Sequence, residues 1–286
     1  MSSSVQHIDL TRWHHGEPLE ARDDVVAVEE PMELRLEHTW RDKVVSQSVA
    51  ITMRTPGQDH ELAVGFLFTE GIVRHHTDVE RVEHCGPEVD GARNVIKVRL
   101  KAHVQVDLQR LKRNFYTSSS CGVCGKASLE ALAIQRPAPP KNPSQLRMAL
   151  QTATALSERM RRAQRAFEQT GGLHAAALFD AQGDMVCLRE DVGRHNAVDK
   201  LVGAQLMAGR TLLDNRVLML SGRVSFELMQ KAAMAHIPAV FAIGAPSSLA
   251  CAMAASYDIT LAGFVRADRL NIYHGGHRLI DPSGAP

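Results

Sequence analysis

The stretch Thr117-Ser118-Ser119-Ser120-Cys121-Gly122-Val123-Cys124-Gly125-Lys126 sets two thiols three residues apart among small side chains. Such a loop is pliant and approachable. If a helix follows, Cys121 lies at or before its first turn. Unpaired N–H groups there favour thiolate over thiol, and Lys126 adds to the effect. A thiolate is the species that attacks a disulfide or persulfide sulfur. Three roles therefore stand side by side: half a zinc site, a redox pair, or a sulfur-carrying nucleophile.

A structural zinc site needs four ligands, and the chain has no second Cys-x-x-Cys. Cys85, Cys187 and Cys251 are isolated in strand-like or helix-like runs, where a small buried residue is the simplest reading. A nucleobase deaminase needs His-x-Glu and Pro-Cys-x-x-Cys. Here Ser120 occupies the Pro position, and His174-Ala175-Ala176 lacks the Glu and follows the Cys pair. A thioredoxin-like motif would follow the first strand of a β-α-β unit, whereas this pair follows a Ser-rich loop. A second polar cluster is Arg189-Glu190-Asp191-Val192-Gly193-Arg194-His195-Asn196-Ala197-Val198-Asp199-Lys200. It reads either as a helix cap with a solvated face or as a pocket wall in which Arg194 and His195 meet an anion.

These residues need a frame. With 286 residues, the chain is long enough for one large or two ordinary domains with a full hydrophobic core. Lys+Arg 33 against Asp+Glu 32 argues against a surface built to coat nucleic acid, though not against a local basic pocket. Five cysteines, an odd count in a long chain, argue against a disulfide framework. The N-terminus has no apolar core of a signal peptide. The most apolar stretch, residues 232–255, is broken by His236, Pro238, Gly244 and Pro246, so it reads as buried core and not a membrane span. A reducing cytoplasm is the expected compartment.

Residues 1–24 read as a loose arm. Strands are expected over 25–36 and 44–54, then a helix opened by Thr55-Pro56-Gly57 and ended by Gly71, with Leu62, Ala63, Phe66 and Leu67 on one face. Asp90-Gly91 signals a hairpin, and Ile96, Val98 and Leu100 alternate with Lys97, Arg99 and Lys101 as in a half-buried strand. This makes a small α+β domain over 25–113. Residues 114–286, including the Cys pair, form the second domain. It starts with a short helix through Leu129 and Leu132, a stiff Pro-rich linker at 136–140 and a long helix from Asn142-Pro143 to Gly171-Gly172. Strands at 174–179 and 185–188 are joined by a turn at Gly183. Then come a helix at 197–206, a strand at 217–220, a helix at 226–235, a strand at 239–243, a helix at 248–255 and a strand at 259–264. The class is α/β with an α+β N-terminal part. Ser221-Gly222-Arg223, Gly244-Ala245-Pro246-Ser247-Ser248 and Val265-Arg266-Ala267-Asp268-Arg269 follow the carboxyl ends of strands, the edge where ligands bind. Helix starts, small residues and Arg there suit a phosphate, although ordinary turns use the same residues.

The chain resembles the formate dehydrogenase accessory sulfurtransferase family, FdhD. The resemblance runs through Glu30-Pro31, the segment 55–71 with Gly65-Phe66-Leu67-Phe68-Thr69-Glu70-Gly71, Ser120-Cys121-Gly122-Val123-Cys124-Gly125, His174-Ala175-Ala176-Ala177, Glu190-Asp191-Val192-Gly193-Arg194-His195 and Gly263-Phe264. It spans roughly residues 25–280 and is specific by order and combination. It implies a cytidine-deaminase-like fold, a layered β-α-β sheet without the deaminase zinc site. It also implies a sulfurtransferase that carries sulfur as a cysteine persulfide from a cysteine desulfurase to the bis(molybdopterin guanine dinucleotide) molybdenum cofactor, for formate dehydrogenase activity. The persulfide residue matches Cys121, and Cys124 is an accessory thiol. The cofactor-binding segment matches Phe264, Val265, Arg266, Ala267, Asp268 and Arg269. The cofactor is bound as substrate, GDP is its mimic, and no metal of the protein's own is implied. The implied partners are the desulfurase, the formate dehydrogenase catalytic subunit and a second copy in a homodimer, with no nucleic acid and no membrane. From another class, a protein that only binds and delivers the cofactor shares every feature but a reactive Cys121. A zinc-dependent hydrolase is a weaker third reading.

Overall fold

The computed structural model describes residues 4–88, 93–106 and 144–281. The N-terminal stretch expected to be loose is a hairpin instead. Strands β1 (Val5–Arg12) and β2 (Glu20–Ala27) pair antiparallel from Val5↔Ala27 to Arg12↔Glu20. Its side chains are mostly exposed, so backbone pairing, invisible in a hydrophobic pattern, forms this ribbon.

Strands β3 (Glu30–Trp40), β4 (Lys43–Arg54), β5 (Val79–Cys85) and β6 (Val95–Leu100) form a four-stranded sheet in the order β4-β3-β6-β5. Ile96, Val98 and Leu100 point inward as the alternation requires, joined by Leu34 and Leu36. The expected Asp90-Gly91 turn lies outside the described residues, but the strands around it do pair antiparallel. Helix α1 (Asp59–Thr69) follows β4. It buries Val64 and Phe68 as well as Leu62, Ala63 and Leu67, so it has no solvated face. A helix apolar all round must be covered on all sides.

The expected long helix is divided. Met148–Ala149 is a short strand, β7, which pairs with β14 (Leu279–Ile280) near the end of the described chain. Helix α2 (Leu150–Ala163) follows, and Gln164 breaks it from α3 (Arg165–Thr170). The Glu190 carboxylate accepts the N–H groups of Ala166 and Phe167, fixing the new helix start from a distant strand. Gly171, at φ 66, closes α3 in the left-handed region that glycine tolerates.

The remaining elements are β8 (His174–Phe179), β9 (Met185–Asp191), α4 (Arg194–Met207), β10 (Val217–Leu220), α5 (Phe226–Met234), β11 (Ala239–Ala242), α6 (Ser248–Tyr257), β12 (Thr260–Arg266) and β13 (Arg269–His274). They build a six-stranded sheet in the order β13-β12-β11-β10-β8-β9. The run from β10 to β12 is parallel with helical crossovers, as the α/β reading expects. The β8–β9 hairpin and β13 are antiparallel additions at the two sides.

This sheet is buried on both faces. Ala175, Ala177, Phe179, Val217, Met219 and Phe241 meet Leu156 and Met160 of α2. Ala176, Leu178, Leu218, Leu220 and Val240 point the other way, into a larger core. That second core also holds α1, α4 and the inner face of the four-stranded sheet. Both halves of the chain thus share one hydrophobic interior.

Helices α1 and α4 cross with almost no gap. A Cβ on Gly65 would overlap the backbone carbonyl of Asp199, and one on Gly203 would overlap that of Glu61. The obstacles are backbone atoms, which cannot swing aside. Gly65→Ala is therefore expected to destabilise the fold by roughly 3 kcal/mol or more, measured by urea unfolding. A variant within experimental error of wild type would show that the helices can separate without loss.

Candidate functional site

The carboxyl ends of β10, β11 and β12 open on one edge, and the antiparallel pairing of β8 and β9 brings His174 and Asp191 to the same edge. The loops there are stacked backbone on backbone. Gly244 N donates to Gly222 O at 3.2 Å, and Phe264 N donates to Gly244 O at 3.2 Å. A Cβ on Gly244 would sit 2.9 Å from Gly222 O, so this stacking requires glycine. Ser221 Oγ accepts from Ala175 N at 2.8 Å, and Ser221 N donates to Ala175 O at 3.0 Å, which ties the β10 end to β8.

The segment expected to hold the cofactor is a hairpin turn. Val265 and Arg266 end β12, Ala267 and Asp268 turn, and Arg269 begins β13, with Arg266 paired to Arg269. Phe264 has φ 54 at a bulge and is 42% exposed, an unusual setting for an aromatic ring. Val265 is fully buried in the α2-side core, so its side chain is unavailable to any ligand. Arg266, Ala267, Asp268 and Arg269 are exposed. Arg266 Nη1 donates to Ile243 O at 3.0 Å, which fixes its stem against the neighbouring loop.

Cys121 and Cys124 lie outside the described residues. Cys85, Cys187 and Cys251 are free and partly buried, in β5, β9 and α6. Burial pushes the Cys187 thiol up, away from the reactive thiolate. Among the described residues, no group of three or more His, Cys, Asp or Glu could hold a metal ion, and no helix is long and apolar enough to cross a membrane.

The polar run 189–200 divides into two functions. Asp191 and Lys200 form an ion pair at 2.7 Å with both side chains fully buried. Asp191 also accepts from the N–H groups of Thr55 at 3.2 Å and Gly193 at 2.8 Å, and from Asn196 Nδ2 at 3.0 Å. Lys200 Nζ donates to Thr55 O at 2.8 Å. A second buried pair stands beside it, in which Lys231 Nζ meets both oxygens of Asp199 at 2.9 Å and Thr69 Oγ1 at 2.9 Å. These groups bind the two halves together and leave no charge for a ligand. Sequence reasoning missed Thr55 and Lys231. A lysine amid Leu228, Met229, Ala232 and Ala233 was the available sign of a buried pair.

Arg194 and His195, by contrast, sit in the first turn of α4, at the edge. His195 Nε2 lies 3.3 Å from Ser225 Oγ. Burial, then the charges of Lys231 and Arg194, push the His195 imidazole down to about 4. Burial and Arg194 also lower His174. Burial opposes ionisation of Glu227, yet hydrogen bonds from Ser225 and its own N–H hold its carboxyl below the usual range.

A separate cleft of about 880 Å³ lies beside the Thr55–Asp59 turn, His84, Arg93 and Arg189. Its inner cations are already paired. Arg54 meets Glu30 and Asp59, and Arg189 meets Glu61 bidentately. The sheet edge is the better candidate.

The family model described as the FdhD/NarQ family matches residues 27–280. The chain belongs to the FdhD/NarQ family. It is 47% identical over 261 residues to a protein of Streptomyces avermitilis named Sulfur carrier protein FdhD, covering 90% of each chain. A protein of the same name from Mycobacterium tuberculosis is 47% identical over 265 residues, covering 90% of this chain and 92% of that protein. A crystal structure described as a formate dehydrogenase accessory protein from Desulfotalea psychrophila matches with a TM-score of 0.71 at 21% identity, over 97% of this chain and 100% of that one. At that identity the match speaks for the fold alone. Family membership covers every described element from β3 to the end of β14.

His195 makes stability depend on pH. In the unfolded chain an imidazole takes up a proton near 6.5, whereas in the fold it does so only at about 4. Between these values the unfolded state binds more protons, so stability falls as pH falls. The full window is worth roughly 3 kcal/mol. Urea unfolding from pH 8 to pH 4.5 should show the difference between wild type and His195→Gln shrinking by that order. A difference that stays constant across the range would mean that His195 titrates as an ordinary imidazole.

Proposed function

We propose that this chain carries sulfur as a persulfide on Cys121, from a cysteine desulfurase to the bis(molybdopterin guanine dinucleotide) molybdenum cofactor used by formate dehydrogenase. The observation that carries this reading is the 47% identity, over 90% of the chain, to proteins named as sulfur carriers. The Ser120-Cys121-Gly122-Val123-Cys124-Gly125 loop supplies the chemistry. Cys121 thiolate attacks the outer sulfur of the desulfurase persulfide. The new S–S bond forms on Cys121, and the desulfurase thiolate leaves. Cys124 is an accessory thiol, because one sulfur suffices to hold the persulfide.

The cofactor is substrate, bound at the carboxyl edge of the six-stranded sheet. Exposed Arg266 and Arg269 flank the Ala267-Asp268 turn and offer guanidinium groups to the phosphates of a guanine nucleotide arm. The exposed Phe264 ring offers a face on which a base can stack. We read the β10-α5-β11-α6-β12 layer as a cytidine-deaminase-like fold without zinc chemistry. His174-Ala175-Ala176, which lacks the catalytic Glu, supports this. The working unit in this reading is a cytoplasmic homodimer that meets the desulfurase and the formate dehydrogenase catalytic subunit in turn.

Intact mass after incubation with desulfurase and cysteine should show one added sulfur atom, removable by reductant, on wild type and not on Cys121→Ala. Cys121→Ala should also abolish formate dehydrogenase maturation, and Cys124→Ala should lower it only in part. Wild-type maturation by Cys121→Ala would leave the protein a cofactor-delivery chaperone. In calorimetry, Arg269→Ala should weaken GDP binding about tenfold or more, the loss of one charge-assisted phosphate contact. Equal affinity in the two proteins would make Arg269 an ordinary surface residue.

A further inference from the structure

The hairpin of β12 and β13 departs from regular pairing twice, and each departure carries an aromatic residue. Phe264 falls between the pairs Gly263↔Asn271 and Arg266↔Arg269. Tyr273 stands between Leu261↔His274 and Ala262↔Ile272, with no partner of its own. An extra residue in one strand re-aims its side chain.

The Tyr273 ring reaches across β12. A Cβ on Gly263 would lie 3.1 Å from Tyr273 Cε2, 3.0 Å from Pro246 Cδ and 3.1 Å from Gly244 O. Ring, proline and carbonyl therefore meet over one glycine, and a side chain there would push against the ring. Tyr273 nevertheless stays 41% exposed, and its hydroxyl makes no hydrogen bond among the described residues. The ring is neither core nor a polar anchor. It borders the loop that follows β11. The same loop fastens Arg266, whose Nη1 donates to Ile243 O at 3.0 Å. Ile243 and Pro246 are three residues apart, so the two anchor points lie within about 10 Å of each other. A nucleotide has the matching layout of a flat base, a ribose spacer and anionic phosphates. An aromatic ring recognises the first and a guanidinium the last.

We propose that Tyr273 is the specificity residue of this edge, its ring stacking on the nucleobase while Arg266 meets the phosphates. The inference rests on the nucleotide-binding function proposed above. It adds the group that distinguishes a nucleotide from a bare phosphate, since a ligand without a base gains nothing from the ring.

The test is calorimetry on the full chain with GDP and with inorganic pyrophosphate, for wild type, Tyr273→Ala and Tyr273→Phe. Tyr273→Ala should weaken GDP about tenfold, as the loss of one base–aromatic stack does, and leave pyrophosphate unchanged. Tyr273→Phe keeps the ring and should restore GDP binding. In wild type, the NMR signals of the Tyr273 ring should move with GDP and not with pyrophosphate, which a ring with only a structural role would not do. If pyrophosphate binds too weakly to measure, the Phe rescue and the ring signals decide. Equal GDP affinity in wild type and Tyr273→Ala would overturn the inference and leave the nucleotide reading standing. Equal weakening of both ligands would also overturn it, making Tyr273 a support of the edge. A wild-type protein that binds neither ligand removes the nucleotide reading and the inference together.

Discussion

The buried pair of Asp191 and Lys200 is the contact on which the edge depends. Neither side chain touches water, and each also bonds to the backbone of Thr55, a residue more than a hundred positions away in the chain. A lone buried charge is strongly destabilising, so each partner needs the other and both need Thr55 in place. Thr55 Oγ1 in turn accepts from Val192 N at 3.1 Å, which closes the loop of contacts. The turn that starts α1 and the turn that starts α4 are held as one object.

That object sets where Arg194 and His195 stand. Gly193 and Asn196 both give their hydrogen bonds to Asp191, so the α4 start cannot rotate freely. Asn196 also donates to Met53 O at 2.7 Å, anchoring the same turn to the four-stranded sheet. The N-terminal half of the chain therefore supports a polar edge that belongs to the C-terminal half.

Much of the frame was legible in the sequence because its signals are local. His174–Phe179 and Val217–Leu220 fall at the expected residues, and α1 stops at Thr69, just short of Gly71, which takes the left-handed conformation at φ 73. Most of the failures share one cause, which is a partner far away in the chain. Nothing near Gln164 shows that Glu190 will cap a new helix there. The N-terminal ribbon has no apolar stripe because it is held by backbone pairing. In the polar run 189–200, local sequence cannot separate buried Asp191 from edge-facing Arg194, since both are charged and burial is decided by α1 and Thr55. Likewise, Val265 reads as part of an exposed turn until the α2-side core claims it.

The close crossing of α1 and α4 has a consequence for how the chain is made. Helix α1 has no solvated face, yet the helix that covers it is encoded about 125 residues later. At ribosomal rates on the order of 10–20 residues per second, α1 waits several seconds for its partner. During that interval Leu62, Val64, Leu67 and Phe68 have only the nascent four-stranded sheet to lean on. Until the second half leaves the ribosome, the newborn chain thus carries a greasy helix with one face uncovered.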